Sequence, residues 1–284
     1  MSLPADTTIR RMKGNEFALL TKWAAREGWN PGQHDVEAYR AIDPDGFWIA
    51  LAHDEPAAVI SVLTYDPSYA FLGHYIAAPR YRGRGIGKAL WDHAIAACPA
   101  RAIGLDGVIE QQANYARSGF AMRHRNVRYE GVVGQPNALP TELSIRAPAS
   151  SDRDAIHAFD TRVFGRPRIR FLDRWLAAPG HRARVAERDG MLVGYGAARP
   201  CRRGTKVGPL FANDRAVADG LLRALCENMT PPHVLNVPEP NALGTALAAE
   251  HDLAATFETA RMVRGEAPLD DTTRTFGITT LEAG

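Results

Sequence analysis

A short basic loop combines the residue types that bind phosphate groups. Its residues are Arg82, Gly83, Arg84, Gly85, Ile86, Gly87 and Lys88. The apolar run 71–77 before it predicts a strand, and apolar residues at helical spacing from Ile86 onward predict a helix. A helix N-terminus offers unpaired N–H groups, glycines allow an anion to approach the backbone, and arginines add charge. The stretch therefore predicts a diphosphate cradle.

The spacing within this loop distinguishes between kinds of phosphate site. A Walker loop needs a glycine where Arg82 stands, and the dinucleotide fingerprint needs a glycine where Lys88 stands. The pattern that fits is Arg-x-x-Gly-x-Gly, formed by Arg82, Gly85 and Gly87. It resembles motif A of the GCN5-related N-acetyltransferase (GNAT) superfamily, in which the loop holds the pyrophosphate of acetyl-coenzyme A (acetyl-CoA). The resemblance implies acetyl-CoA as the cofactor.

The same resemblance implies roles for the flanking elements. The strand before the loop would bind the pantetheine arm through its backbone, at Tyr75, Ile76 and Ala77. Tyr115 fits the family's Tyr-x-x-x-Gly-Phe, whose tyrosine lies near the coenzyme A sulfur. A phenol with a pKa near 10 suits protonation of a leaving thiolate. The family often has a cofactor-binding Asn before this tyrosine, and here the only candidate is the adjacent Asn114.

Several residues are candidates for proton removal and for acceptor binding. His74 could act as a base if a bulge turned it inward, or it could be a structural strand histidine. Asp106 follows a strand at its carboxyl end and could act through a water or cap the next helix. Trp29 and Asn30 lie in a turn that borders the acceptor site in the family. Glu239 could attract a cationic amine.

The predicted elements place these residues in a duplicated α/β fold. Elements in the order β-α-α-β-β-β-α-β-α-β are followed by a linker, 133–143, and then by the same plan offset by about 135 residues. We predict two tandem GNAT-like domains, each a mixed, mostly antiparallel twisted sheet flanked by helices. Residues 1–132 form the catalytic domain, and 144–284 form a degenerate copy without the phosphate loop. A β-prone segment, 275–281, could join either domain.

Composition is that of an ordinary globular protein, with 45% hydrophobic and 23% charged residues among 284. A net charge of +2 gives no reason to expect nucleic acid or an anionic membrane as a partner. Three scattered cysteines cannot form a disulfide framework, and neither a signal peptide nor a long apolar run is present. We therefore expect a cytoplasmic protein. No metal-ligand spacing is found, so no metal is expected.

These observations lead to three functional hypotheses. The first is an N-acetyltransferase that moves an acetyl group from acetyl-CoA to a primary amine of a small molecule by direct attack. The second is acetylation of a protein lysine or N-terminus. The third is a coenzyme A-binding sensor without catalysis, which the intact Tyr115 disfavours. Formation of a homodimer is left open.

Overall fold

The computed structural model describes residues 6–100, 102–134, 142–266 and 270–284. Its first half follows the predicted order of elements. These are β1 (Thr7–Arg11), α1 (Ala18–Arg26), α2 (Asp35–Ile42), β2 (Phe47–Ala52), β3 (Glu55–Asp66), β4 (Tyr69–Ala77), α3 (Ile86–Ala97), β5 (Ala102–Val108), α4 (Gln112–Arg117) and β6 (Ala121–Gly131).

The second half repeats this plan. Most of the predicted linker lies outside the described residues. The elements are β7 (Ser144–Arg146), α5 (Arg153–Phe164), α6 (Ile169–Leu176), β8 (Arg182–Arg188), β9 (Met191–Pro200), β10 (Thr205–Ala212), α7 (Arg215–Cys226), β11 (His233–Pro238), α8 (Ala242–Glu250), β12 (Ala254–Arg264) and β13 (Thr275–Gly277). Within the described ranges, no helix has the length and apolarity needed to cross a bilayer.

All of these strands belong to one sheet. Its order is β1-β2-β3-β4-β5-β12-β6-β11-β10-β9-β8-β7, and β13 pairs with β10. Parallel pairing occurs at β4–β5 in the first half and at the equivalent β10–β11 in the second, whereas the other pairs are antiparallel. The structure thus confirms a mixed, mostly antiparallel sheet flanked by helices.

The two halves exchange their closing strands. The predicted order of elements makes β6 the closing strand of the first half, but β12 of the second half lies between β5 and β6. Strand β6 also pairs with β11, so it bridges the two halves. In the pairing of β12 with β5, Arg261 lies opposite Asp106. The consequence is that side chains of the second half reach the site of the first.

The helices between the halves form an apolar interface. Helices α2 and α6 pack together, and Tyr39 of α2 stacks on Phe171 and Trp175 of α6 with ring centroids 6.5 and 6.2 Å apart. All three side chains are fully buried. Burial of large aromatic rings is among the strongest stabilising contributions available to an interface. The interface therefore holds the two halves in a fixed relation.

The C-terminal segment joins both halves. Strand β13 pairs with β10, which answers the question that the sequence left open. Residues 278–284 then run back over the first half, where Tyr65 donates a hydrogen bond to the Ala283 carbonyl at 2.6 Å. Gly73 permits this approach, because an added Cβ would lie 2.3 Å from the Glu282 carbonyl oxygen. The segment is thereby held against β4.

Candidate active site

The basic loop forms an open anion cradle at the start of α3. Gly83 and Gly85 have φ values of +74° and +80°, a region that favours glycine. Gly85 caps the helix, and its carbonyl accepts the first helical bond, from the Ala89 N–H at 3.0 Å. The N–H groups of residues 86–88 precede that bond and have no helical acceptor. The loop therefore presents a row of donors, as the sequence predicted.

The cations of this loop are held at the surface. Arg82 donates to the Ala77 carbonyl at 3.0 Å and forms an ion pair with Glu27. Lys88 lies 2.6 Å from Asp92, and Arg84 lies over the ring of Tyr81 at 5.9 Å. Exposed ion pairs of this kind are worth less than about 1 kcal/mol. An anion can therefore displace them at little cost.

Beyond the loop, strands β4 and β5 separate. Their pairing ends at Leu72 and Leu105, after which β5 continues along β12 alone. The last part of β4, residues 73–77, has no partner on the β5 side. His74 lies in a bulge of β4 and has a φ of +50°. The splayed strands that the resemblance implied are thus present, and they leave backbone groups of Tyr75 to Ala77 facing a gap.

A cavity opens at this gap. It holds about 490 Å³ of space not filled by protein atoms, including the solvent at its open mouth. The first half contributes Trp29, His74, Tyr75, Asp106 and Tyr115 to the wall. The second half contributes Phe257, Thr259, Leu281 and Glu282. The sequence did not predict the second group, because it arrives through the exchanged strand and the C-terminal segment.

Tyr115 is held rigidly in the cavity wall. Its ring stacks on Trp91 with centroids 5.3 Å apart and an angle of 20°. It also covers Gly107, where an added Cβ would lie 2.5 Å from the ring. Burial raises the pKa of the phenol above its ordinary value, with the neighbouring Tyr75 as a smaller cause. The hydroxyl therefore stays protonated at neutral pH and can act as a proton donor.

His74 also lies in the wall, turned inward by the bulge. Its side chain is buried, and its Nδ1 lies 3.1 Å from the Ser61 hydroxyl. Burial lowers the pKa of the imidazole, while the carboxylates of Glu282 and Asp35 oppose this shift. A neutral imidazole beside the cavity is able to accept a proton.

Both carboxylate oxygens of Asp106 take part in an ion pair that links β5 to β12. Its two oxygens accept from Nε and Nη2 of Arg261, both at 2.9 Å, and one also accepts from Asn126 at 2.7 Å. This geometry does not support the role of general base that the sequence suggested. The partner Arg261 lies 155 residues further along the chain, so no local pattern predicted this ion pair.

Of the candidate acceptor residues, only Trp29 lines the cavity. Its carbonyl accepts from the buried Lys206 at 2.8 Å, and burial lowers the pKa of that lysine to about 8. Asn30 instead clamps the two halves together, because its side chain bonds the backbone of Arg203 through both ends, at 2.8 and 2.9 Å. Glu239 is exposed at the end of β11, outside the cavity wall. The structure therefore does not support acceptor binding by Asn30 or Glu239.

The cofactor candidate Asn114 also lies outside the cavity wall. It is exposed on α4, and its side chain bonds Gln111 at 2.6 Å and Arg117. These local contacts can explain the residue without a ligand. Across the described residues, no group of three or more His, Cys, Asp or Glu side chains is arranged to hold a metal ion.

Glu282 is the ionisable residue among the wall residues that the sequence did not predict. Its side chain is only 5% exposed, yet it lines the cavity beside His74. It accepts a hydrogen bond from Thr280, and no Lys or Arg of the described ranges forms an ion pair with it. Arg128, Lys206 and Arg199 lie close enough to interact with this carboxylate electrostatically, without contacting it as an ion pair. The carboxylate oxygens therefore keep room for a hydrogen-bond donor in the cavity.

Comparison with known proteins agrees with this geometry. The family described as "Acetyltransferase (GNAT) family" matches residues 16–120, and that described as "Acetyltransferase (GNAT) domain" matches residues 156–277. Holothin acyltransferase from Pseudoalteromonas sp. (strain SANK 73390) is 30% identical over 271 residues, covering 95% of this chain and 92% of that protein. This chain belongs to the GNAT superfamily. It is a tandem-domain GNAT protein and an acyl-CoA-dependent acyltransferase.

Solved structures share the whole fold of this GNAT protein. An acetyltransferase candidate from Pyrococcus horikoshii has a TM-score of 0.83 at 21% identity, covering 100% of this chain and 98% of that one. A tandem GNAT protein from the clavulanic acid biosynthesis pathway has a TM-score of 0.66 at 15% identity, covering 93% and 100%. At these identities the likeness establishes the architecture alone.

The cradle predicts a specific effect on acyl-CoA binding. Replacing Arg84 by Gln should raise the KM for acyl-CoA about 10-fold, since a hydrogen bond to a charged group contributes about 1.5 kcal/mol. Steady-state kinetics will measure this, with kcat expected to change little. Arg80→Gln is the matched control, because Arg80 faces the same Tyr81 ring but pairs with Glu55. Equal effects of the two substitutions would contradict the assignment.

The Asp106–Arg261 pair predicts a loss of stability. Asp106→Asn should lower the free energy of unfolding by about 3 kcal/mol, because it leaves a buried guanidinium without its main counter-ion. Urea unfolding will measure this change. Asp45→Asn is the control, because its pair with Arg11 is exposed and should matter by under about 1 kcal/mol. If activity disappears while stability is unchanged, Asp106 is a catalytic base after all.

Proposed function

We propose that this protein transfers an acetyl group from acetyl-CoA to a primary amine of a small molecule. The observation that carries the proposal is the arrangement of Tyr115, His74 and Glu282 around one cavity at the gap between β4 and β5. A proton donor and a neutral imidazole suit the proton transfers that accompany attack of an amine on a thioester, and a buried carboxylate suits an amine donor.

The acyl-CoA would be held by residues on two elements. The N–H groups and arginines of residues 82–88 suit its pyrophosphate, and the backbone of Tyr75 to Ala77 suits its pantetheine arm. The cosubstrate supplies an activated thioester. The second half offers no equivalent cradle, because Asp214 caps α7 with its own side chain, accepting from the Val217 N–H at 3.0 Å. We therefore assign a single cofactor site, in the first half.

Each of three residues in the cavity wall would then have its own role in acceptor binding or proton transfer. Glu282 draws the acceptor ammonium into the cavity, and His74 takes its proton. The free amine nitrogen forms a bond to the thioester carbon, and the carbon–sulfur bond breaks. Tyr115 gives its proton to the leaving sulfur. The phenolate is restored by the proton that the amide nitrogen releases, and His74 returns its proton to the solvent, so charge and protons balance over one turnover.

A small acceptor is favoured over a protein because the second half narrows the cavity. Phe257 and Leu281 of the second half form part of its wall. The similar Pseudoalteromonas protein is named for acyl transfer to holothin. We take this name as support for a small acceptor here as well.

A panel of acceptors tests the proposal. The full chain is incubated with acetyl-CoA or longer acyl-CoAs and with alkyl and aryl primary amines, their N-acetylated forms, and peptides with a lysine or a free N-terminus. Release of coenzyme A and product mass are measured. Turnover with small amines is expected. Turnover with peptides alone would favour a protein acetyltransferase, and binding of coenzyme A without any turnover would favour a sensor.

The protonation state of His74 predicts how kcat/KM depends on pH. Because burial lowers its pKa below 6.5, the imidazole is neutral above that pKa and protonated below it. The acid limb of kcat/KM due to His74 should therefore lie below pH 6.5. The ratio of the wild-type and His74→Gln profiles isolates this limb, since the ionisation of the acceptor is common to both proteins. The exposed His93 provides the control substitution. A limb that persists in His74→Gln would contradict the role.

A further inference from the structure

A second cavity lies on the other side of the Asp106–Arg261 pair. Arg261 forms part of the wall of this second cavity. It also donates a hydrogen bond to Asp106, which lines the first cavity, between β4 and β5. The remaining wall comes from both halves and includes Tyr69, Arg123, His124, Phe164, Arg166 and Asp270. It encloses about 950 Å³ of space not filled by protein atoms, including its open mouth. The proposed acyl transfer uses none of these residues.

Arg166 is the unusual side chain of this cavity. It is only 5% exposed, and its Nη1 has no hydrogen-bond partner. The nearest carboxylate oxygen, on Asp66, lies 3.9 Å from that nitrogen, too far for a hydrogen bond. The guanidinium carbon lies 3.8 Å from the ring centroid of Tyr69, which fixes its plane. A buried guanidinium nitrogen without an acceptor is costly unless a ligand satisfies it.

A second buried polar atom in this cavity wall also lacks a hydrogen-bond partner. Nε2 of His124 has no hydrogen-bond partner, and the residue is 8% exposed. Burial and the neighbouring Arg261 lower the pKa of this imidazole, so it is neutral and can carry its proton on Nε2. Two buried donors from distant parts of the chain therefore line one cavity.

The charge of the wall is positive. Three arginines line the cavity against one carboxylate, Asp270, among the described residues. Asp270 lies 3.4 Å from Arg261, which is also paired with Asp106. Arg166 in the interior has only the long contact with Asp66 as an ion pair among the described residues, and Arg123 is exposed, so both can meet a ligand. Their neighbours Tyr69 and Phe164 supply apolar surface for an organic body.

We propose that this cavity binds the carboxylate or phosphate group of a small organic anion. Arg166 would hold the oxyanion through its planar fork of donors, a geometry that carboxylate and phosphate share. His124 would donate from Nε2, and Arg123 would close the mouth. The site is separate from the cradle at residues 82–88, so its test does not depend on the proposed acyl transfer.

Calorimetric titration of the full-length protein tests this site. The probes are benzoate and inorganic phosphate, each at constant ionic strength set with chloride. Titrations are made on the Arg84→Gln background as well, so that binding at the cradle is recognised. Saturable binding of at least one probe is expected. A preference for benzoate assigns an organic carboxylate, and a preference for phosphate assigns a phosphate group.

Three substitutions locate the binding. Arg166→Gln should weaken it at least 10-fold, and Arg123→Gln, an exposed change that leaves the fold intact, should weaken it about 3-fold. Arg162→Gln is the matched control, since Arg162 is exposed on α5 and lies over Phe159 instead. The proposal is overturned if neither probe binds, or if affinity is the same in the Arg123 and Arg166 variants as in the wild type.

Discussion

Replacing Tyr115 by Phe is expected to lower kcat about 100-fold at pH 7, the effect of losing a positioned general acid. The ring should stay in place, because its stacking on Trp91 and its contact with Gly107 involve no hydroxyl. The KM for acyl-CoA should therefore change by less than about 3-fold. Steady-state kinetics with a saturating amine will measure both parameters.

Tyr129→Phe is the control for this substitution. Tyr129 is a half-buried tyrosine of β6 that packs against the core of the second half, away from the cavity. Removal of the Tyr129 hydroxyl should leave kcat unchanged. If Tyr115→Phe retains full kcat from pH 6 to pH 9, the leaving sulfur receives its proton from another group, and the proposed role of Tyr115 is wrong.

Replacing Glu282 by Gln is expected to raise the KM for a cationic acceptor about 30-fold, which corresponds to about 2 kcal/mol for a hydrogen bond between charged groups. The amide keeps the volume of the side chain and its contact with Thr280. The KM for acyl-CoA should not change. The acid limb of His74 should also move to lower pH, because the Glu282 carboxylate raises the pKa of that imidazole.

Glu239→Gln serves as the control here. It removes the same charge from an exposed position outside the cavity wall, so it should leave acceptor kinetics unchanged. An equal rise in both acceptor and acyl-CoA KM in Glu282→Gln would indicate a general disturbance of the C-terminal segment, and would contradict a specific role in binding the acceptor.

Local signals explain what the sequence predicted well. The cradle, β4 and α3 depend on Pro79, on the glycines of the loop and on helical spacing after Ile86, all within 20 residues. The position of Tyr115 follows from the short helix that ends before Gly119. Each of these elements is specified by neighbouring residues, so a single sequence is enough to place it.

Long-range contacts explain what the sequence did not predict. Glu282 reaches the cavity only because β13 pairs with β10 and Gly73 leaves room for the segment that follows. Asp106 could be placed at the end of a strand, but Arg261 meets it through a strand exchange that no local pattern encodes. Asn30 lies between α1 and α2, as the sequence predicted, but its contact with the second half is not encoded by any local pattern.

We propose that one acyl-CoA site lies in the first half, between the cradle and Tyr115. A crystal structure of the full-length protein with coenzyme A tests it most directly. We predict the pyrophosphate on the N–H groups of residues 82–88, the pantetheine arm along β4 in the gap beside β5, and the sulfur next to the Tyr115 hydroxyl. Coenzyme A bound in the second half, or outside the gap between β4 and β5, would contradict the account.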